Sequence, residues 1–441
     1  MVTEAALNAF GEQLKDLTLC KTRYDLGDLQ WYTEGPFWRR TSMRFSRDYK
    51  TIPDYEIGNR KHGKTLEDIL DESIHLEESL RLYKKTAHPE EIIRTDYLIE
   101  HVHNLQVRTR ILLGEKMTFD QMTEGLYGLK APEYDYRKFE EILKEMDQAL
   151  PGKGETAERI LDFREKLAIA PEKLLDVLKS TTEEFHRIAV ENMNVTGNSM
   201  PRVRVRRLPD RNMVFLSILF GYDYNHLEYE RNFNLLYPWT VDRVMEYIGH
   251  EMEPGHLTYF EKRLQTMIDT CWPEMAIVSQ YSTSSAFTEG SARHAISMSF
   301  HNSMAEQVEF EKELIFKKAG IDCGLAELMP LWHRFCEIAG YGKLEVTRKI
   351  WDGVWTPEDG LKFLDKYGFM DRNSTAQDVA ALMDDTGHFV AHDYARDVVK
   401  DYFQGAARDV KEQWVLYEQL CCSHVTMGKI LDHTMKPDFF G

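Results

Sequence analysis

Cysteine is scarce: the six residues at 20, 271, 323, 336, 421 and 422 form no C-x-x-C pair, which excludes a disulfide framework and a cysteine zinc finger. The adjacent Cys421 and Cys422 read as small buried residues of a C-terminal helix. Long apolar runs are also missing. The longest, residues 213–220, is far too short to cross a bilayer, and the opening MVTEAALNAFGEQLKDL lacks the basic-then-apolar order of a signal peptide. A cytoplasmic protein is expected. Positive charge is in deficit, with 55 Lys and Arg against 73 Asp and Glu, so nonspecific attraction to nucleic acid or to an anionic membrane is disfavoured. There is no internal repeat, heptad array or low-complexity tract.

What is present is the pattern of a mainly α protein. Residues 65–85 place Leu66, Ile69, Leu70, Ile74, Leu76 and Leu80 near one helical face, and residues 89–113, 137–150 and 156–193 read similarly, with a Pro-Gly stop at 151–152 and a new helix starting at Pro171. One window departs from this. Residues 200–237 alternate Val203 and Val205 with arginines, then run through β-branched and aromatic residues, predicting a small antiparallel sheet. The expected organisation is a large helical body, with an N-terminal helical half over 1–195 and, over 196–441, a small sheet followed by the helical half that carries the chemistry.

Directly after that sheet stands His250-Glu251-Met252-Glu253-Pro254-Gly255-His256. In the zincin H-E-x-x-H pattern, histidines four residues apart lie about 40° apart around a helix and reach one zinc ion, while the glutamate serves as general base. Here the spacing is six, which on a regular helix would separate the imidazoles by about 120°. Pro254 cannot donate to the carbonyl of His250 and its ring clashes there, so a break is predicted that brings His256 back beside His250, with Gly255 supplying the backbone freedom. A catalytic zinc takes three protein ligands, and Glu289 of Phe287-Thr288-Glu289-Gly290, 33 residues after His256, is the best third candidate.

HEMEPGH followed by FTEG resembles the H-E-x-x-P-G-H and later E-G-W-A pattern of a largely helical, mostly uncharacterised family assigned to the gluzincin-like metallopeptidase clan. The clan also holds the angiotensin-converting-enzyme and thimet-oligopeptidase folds and helical carboxypeptidases. The resemblance covers roughly residues 200–300. It implies a gluzincin-like cleft, Zn2+ on His250, His256 and Glu289, Glu251 as general base, and a β element before the metal helix. The chain departs from the pattern at Leu257-Thr258 and at Ser291, which stands where the family has Trp.

The function expected is therefore a zinc metallopeptidase-like hydrolase, a carboxypeptidase or oligopeptidase acting on a short peptide or small amide. A hydrolase of a non-peptide amide or ester, and a non-catalytic helical scaffold, are the alternatives; self-association into a homo-oligomer stays open. Tyr394, Arg396 and Tyr402, with Tyr417 behind them, are candidate oxyanion donors. His388 and His392, four residues apart, form a competing ligand pair or a flank of the main site. Arg202, Arg204, Arg206 and Arg207 fit a solvated strand face better than a carboxylate grip. Trp31, Trp38, Trp332, Trp351, Trp355 and Trp414 are expected as core anchors.

Overall fold

The structure, a computed structural model, describes residues 2–22, 24–25, 28–34, 37–39, 63–193, 195, 200–208, 214–221, 227–385 and 387–438. The fold is mainly α, and its helices form where periodicity and capping agree. Leu66–Lys84 starts at Thr65, which shares a capping box with Asp68, and buries Ile69, Leu76 and Leu80 along one face. Arg137–Ala149 buries Phe139, Ile142 and Met146, and Pro171 opens Pro171–Asn192 at a position where a missing N–H costs nothing. Trp332 and Trp414 are buried as core anchors, while the side chains of Trp31 and Trp38 lie outside the described residues.

Two apolar clusters form among the described residues. The larger runs from Val107 to Met435 and crosses residue 195 without interruption. The smaller joins Val2–Lys21, Leu66–Lys84 and Ile92–Leu112 through Leu14, Leu17, Leu76, Leu98 and Val102. A buried polar seam ties this N-terminal bundle to the body. Arg94 donates from Nε to Glu274 at 2.6 Å, and the same carboxylate meets Nε2 of His424 at 2.9 Å. Burial opposes its charge, but His424 and Arg94 outweigh it and bring the Glu274 carboxyl down to about 2.

The sheet before the helix Val241–Glu251 is mixed, which corrects the antiparallel expectation. Strand Leu227–Asn234 lies between the other two, antiparallel to Phe215–Gly221 and parallel to Arg202–Arg206, with Val203 opposite Arg231. Alternation reports which residues share a face and is silent on strand order, so the crossover was invisible in it. A second three-stranded sheet, 37–39, 29–34 and 277–279, had no strong signal because its strands are so short. No helix among the described residues is long and apolar enough to cross a membrane.

At the centre lies Thr283–Ser299, capped by Ser282 and buried on every side. Small residues permit this: a Cβ on Gly290 would stand 2.6 Å from the carbonyl oxygen of Ala395, so only glycine allows the Ala395–Ala406 helix so close.

The Arg94–Glu274 pair gives a stability test. Arg94→Ala should cost about 3–5 kcal/mol in urea unfolding, because it strips a buried carboxylate of its guanidinium, whereas Arg94→Met with Glu274→Gln, which removes both charges and keeps an acceptor for Nε2 of His424, should recover most of that loss.

Candidate metal centre

The Val241–Glu251 helix turns Val241, Val244, Met245 and Ile248 into the core, and His250 follows onto the buried side. The helix then stops. Met252 makes its last i−4 bond, to Ile248, and a new helix, His256–Thr270, begins after an irregular turn held by a bond from Leu257 N to Met252 O of 3.2 Å. The break falls at Pro254, as the spacing predicts. Gly255 takes φ −78° and ψ −127°, and space is lacking there as well. A Cβ there would lie 1.9 Å from the carbonyl oxygen of His250 and 2.6 Å from that of Gly249. The turn folds back onto the end of the helix it leaves. Tyr417 pins it from outside by donating to the carbonyl of Pro254 at 2.9 Å, and His186 bonds Glu253.

This fold-back sets the rings of His250 and His256 edge to face at 4.4 Å. Glu289, one residue before the close contact at Gly290, projects between them: its Oε2 lies 2.9 Å from Nε2 of His250 and 3.4 Å from Nε2 of His256. Ligands on a tetrahedral zinc with bonds of about 2.0–2.2 Å stand about 3.3–3.5 Å apart, so the His256 contact matches and the His250 contact is slightly tight. Burial opposes the charge of Glu289, but the imidazoles of His256 and His250 hold its carboxyl well below the usual range. Both contacts lie near the spacing of zinc ligands and all three residues are buried, while the ligand atoms that close into mutually near groups of three are those of His250, Glu251 and His256 and those of His250, Glu289 and His392. The Nδ1 atoms of both histidines have no hydrogen-bond partner among the described residues, so packing orients the rings, with His256 stacked on Phe260 at 5.9 Å.

Glu251, close by, has a partner of its own. Arg231, fully buried on strand Leu227–Asn234, donates from Nη1 to its Oε2 and from Nη2 to its backbone carbonyl, both at 3.0 Å. Burial raises the carboxyl, but Arg231, His256 and His250 outweigh it and lower it to about 2. One turn earlier on the same helix, Glu246 pairs with Arg293, whose other nitrogen donates to Asp393 at 2.8 Å.

The His388 and His392 pair flanks this centre. His392, on an irregular turn over Val390–Tyr394, brings its ring within 5.1 Å of His250, and one ligand atom each from His250, Glu289 and His392 lie within 4.8 Å of one another. Burial and the charge of Arg293 lower the pKa of His392, which favours its neutral form. The donors expected nearby are engaged elsewhere. Tyr402 donates to the carbonyl of Met435 at 2.9 Å, and Arg396 donates from Nε to Asp397 at 2.8 Å. Tyr394 is half-buried on the His392 segment, and burial together with Asp397 raises its hydroxyl pKa. Arg204 donates to Glu230 at 2.6 Å and Arg206 lies 3.9 Å from it, both well exposed on the sheet.

Arg231, Glu246, Arg293 and Asp393 escaped the sequence reading. The one usable signal was Arg231 itself, a cation flanked at the alternate strand positions by Tyr229 and Phe233.

No family model matches the chain, and no curated protein matches it. Among solved structures, it is similar to the “putative lipoprotein” from Colwellia psychrerythraea at 12% identity and a TM-score of 0.53, over 84% of this chain and 69% of that one. This likeness carries the fold alone.

Gly255→Ala should therefore lower the free energy of unfolding by about 1–3 kcal/mol or more, since a methyl group has to enter an occupied backbone contact. Gly428→Ala, where nothing lies within 4 Å of the added Cβ, is the control and should be neutral or slightly stabilising in the same thermal melts.

Proposed function

We propose that the chain is a zinc-dependent metallohydrolase, a carboxypeptidase or oligopeptidase of short peptides. The observation that carries this reading is the seat of the Glu289 carboxylate between the Nε2 atoms of His250 and His256, with a second carboxylate, Glu251, held beside them by an arginine. His250, His256 and Glu289 would hold the metal. Bound zinc would act as a Lewis acid toward the scissile carbonyl and make water acidic enough to give up a proton near neutral pH.

The chain's own residues then have separate tasks. Glu251, ionised and fixed by Arg231, accepts the proton of the hydrolytic water and returns it to the departing amine nitrogen. His392, favoured neutral by burial and by Arg293, is the donor best set to stabilise the oxyanion, in place of Arg396 and Tyr402. Arg293 orients both flanks of the centre, through Glu246 on the metal helix and Asp393 beside His392. The free state of all six cysteines suits a reducing compartment, and we assign the activity to the cytoplasm.

The test is metal analysis combined with hydrolysis of a mixed peptide library. Native protein should carry zinc, and His250→Ala should lose it. Glu251→Gln should keep zinc and lose about 10²–10⁴-fold in rate. Because that change also leaves Arg231 buried opposite a neutral amide, its melting curve belongs with the assay. Protein purified without metal, or a Glu251→Gln variant that hydrolyses at the native rate, would sink the proposal.

A further inference from the structure

Glu251 stands close enough to its neighbours to be a ligand itself. One ligand atom each from His250, Glu251 and His256 lie within 4.8 Å of one another, so the motif offers an ion two carboxylates, Glu251 and Glu289. A carboxylate that ligates is lost as a base. Something must hold Glu251 off.

Arg231 is built for that task. Its guanidinium lies over the Phe215 ring at 3.9 Å, meets the Tyr229 hydroxyl, and is shut away from solvent. Both terminal nitrogens then go to a single residue: Nη1 takes the side-chain Oε2 of Glu251 and Nη2 its backbone oxygen, each at 3.0 Å. A planar fork fixed on a side chain and on its own main chain sets the side-chain torsions, and a lysine ammonium does not reproduce two such diverging bonds. The strand supports the fork through register, since Arg231 sits opposite Val203 on one neighbour and Ser217 on the other, at the centre of the sheet.

The geometry points to Arg231 as a positioning residue that keeps the Glu251 carboxylate out of the ligand set and reserves it for proton transfer. The inference rests on the zinc reading above and adds to it the division of labour between the two glutamates. Arg231 acts through Glu251 and touches no reacting atom.

Cobalt(II) loading gives a readout independent of turnover. Arg231→Met frees Glu251 to join the ion, so the visible cobalt spectrum should change and zinc should bind roughly tenfold more tightly, the direction an added anionic ligand gives. Arg231→Met with Glu251→Gln should return the spectrum to that of the native protein, and Arg231→Lys should fall between. If Arg231 only buttresses the site, its loss instead weakens metal binding by about 10–100-fold with an unchanged spectrum, and that result overturns the inference. Should Arg231→Met fail to fold, Arg231→Gln, which keeps a donor for the backbone carbonyl, carries the same comparison. A native protein that takes up neither cobalt nor zinc removes the zinc reading and this inference with it; failure of the variant spectra alone removes only the inference.

Discussion

The approach of Gly255 to the carbonyl of His250 is the contact on which the rest of the site depends. It converts a six-residue spacing into neighbouring imidazoles, because the chain leaves one helix and re-enters another without moving away from the first. Every other element is arranged to make that fold-back stay. Tyr417 holds the turn by the Pro254 carbonyl, Arg231 holds the last helical residue by both its ends, and Glu289 fills the space between the rings. The turn itself contributes few hydrogen bonds, so its stability is borrowed from helices far away in sequence.

Charge in the interior is organised as paired networks. Glu246, Arg293 and Asp393 form one, Arg94, Glu274 and His424 another, and Arg231 with Glu251 a third. Such pairs add little net stability, since desolvation offsets most of the attraction, but losing one partner is costly. Their effect is specificity of arrangement. The first network joins the Val241–Glu251 helix to the His392 segment, and the third joins the sheet to the same helix, so His250 and Glu251 are referenced to more than one element.

Much of this was legible in the sequence, for reasons that differ by residue. Periodicity located the helices because burial on one face selects residues at fixed intervals, as in 65–85. The break at Pro254 was legible because proline acts on its own backbone. That Glu289 meets His250 and His256 was expected because a candidate metal site with two histidines calls for a third acidic or imidazole partner. Strand order was not legible, since alternation carries no information on neighbours, and the partners of Arg231 and Arg293 were not, because both are set by contacts between distant elements. The partners of Arg396 and Tyr402 were hidden as well: residue type and proximity in sequence picked them out, and their bonds to Asp397 and to the Met435 carbonyl are set by packing.

The central helix has a consequence for how this chain can vary. Ser284 meets Tyr97 and His101 of the N-terminal bundle, Glu289 meets His250 and His256, Gly290 admits the Ala395 backbone, and Arg293 reaches Glu246 and Asp393, all along one continuous helix. A single inserted or deleted residue between 284 and 293 would rotate everything beyond it by about 100°. The phase of this segment is therefore common to the bundle interface and the chemistry. Length changes have room in the loops, and here they have none.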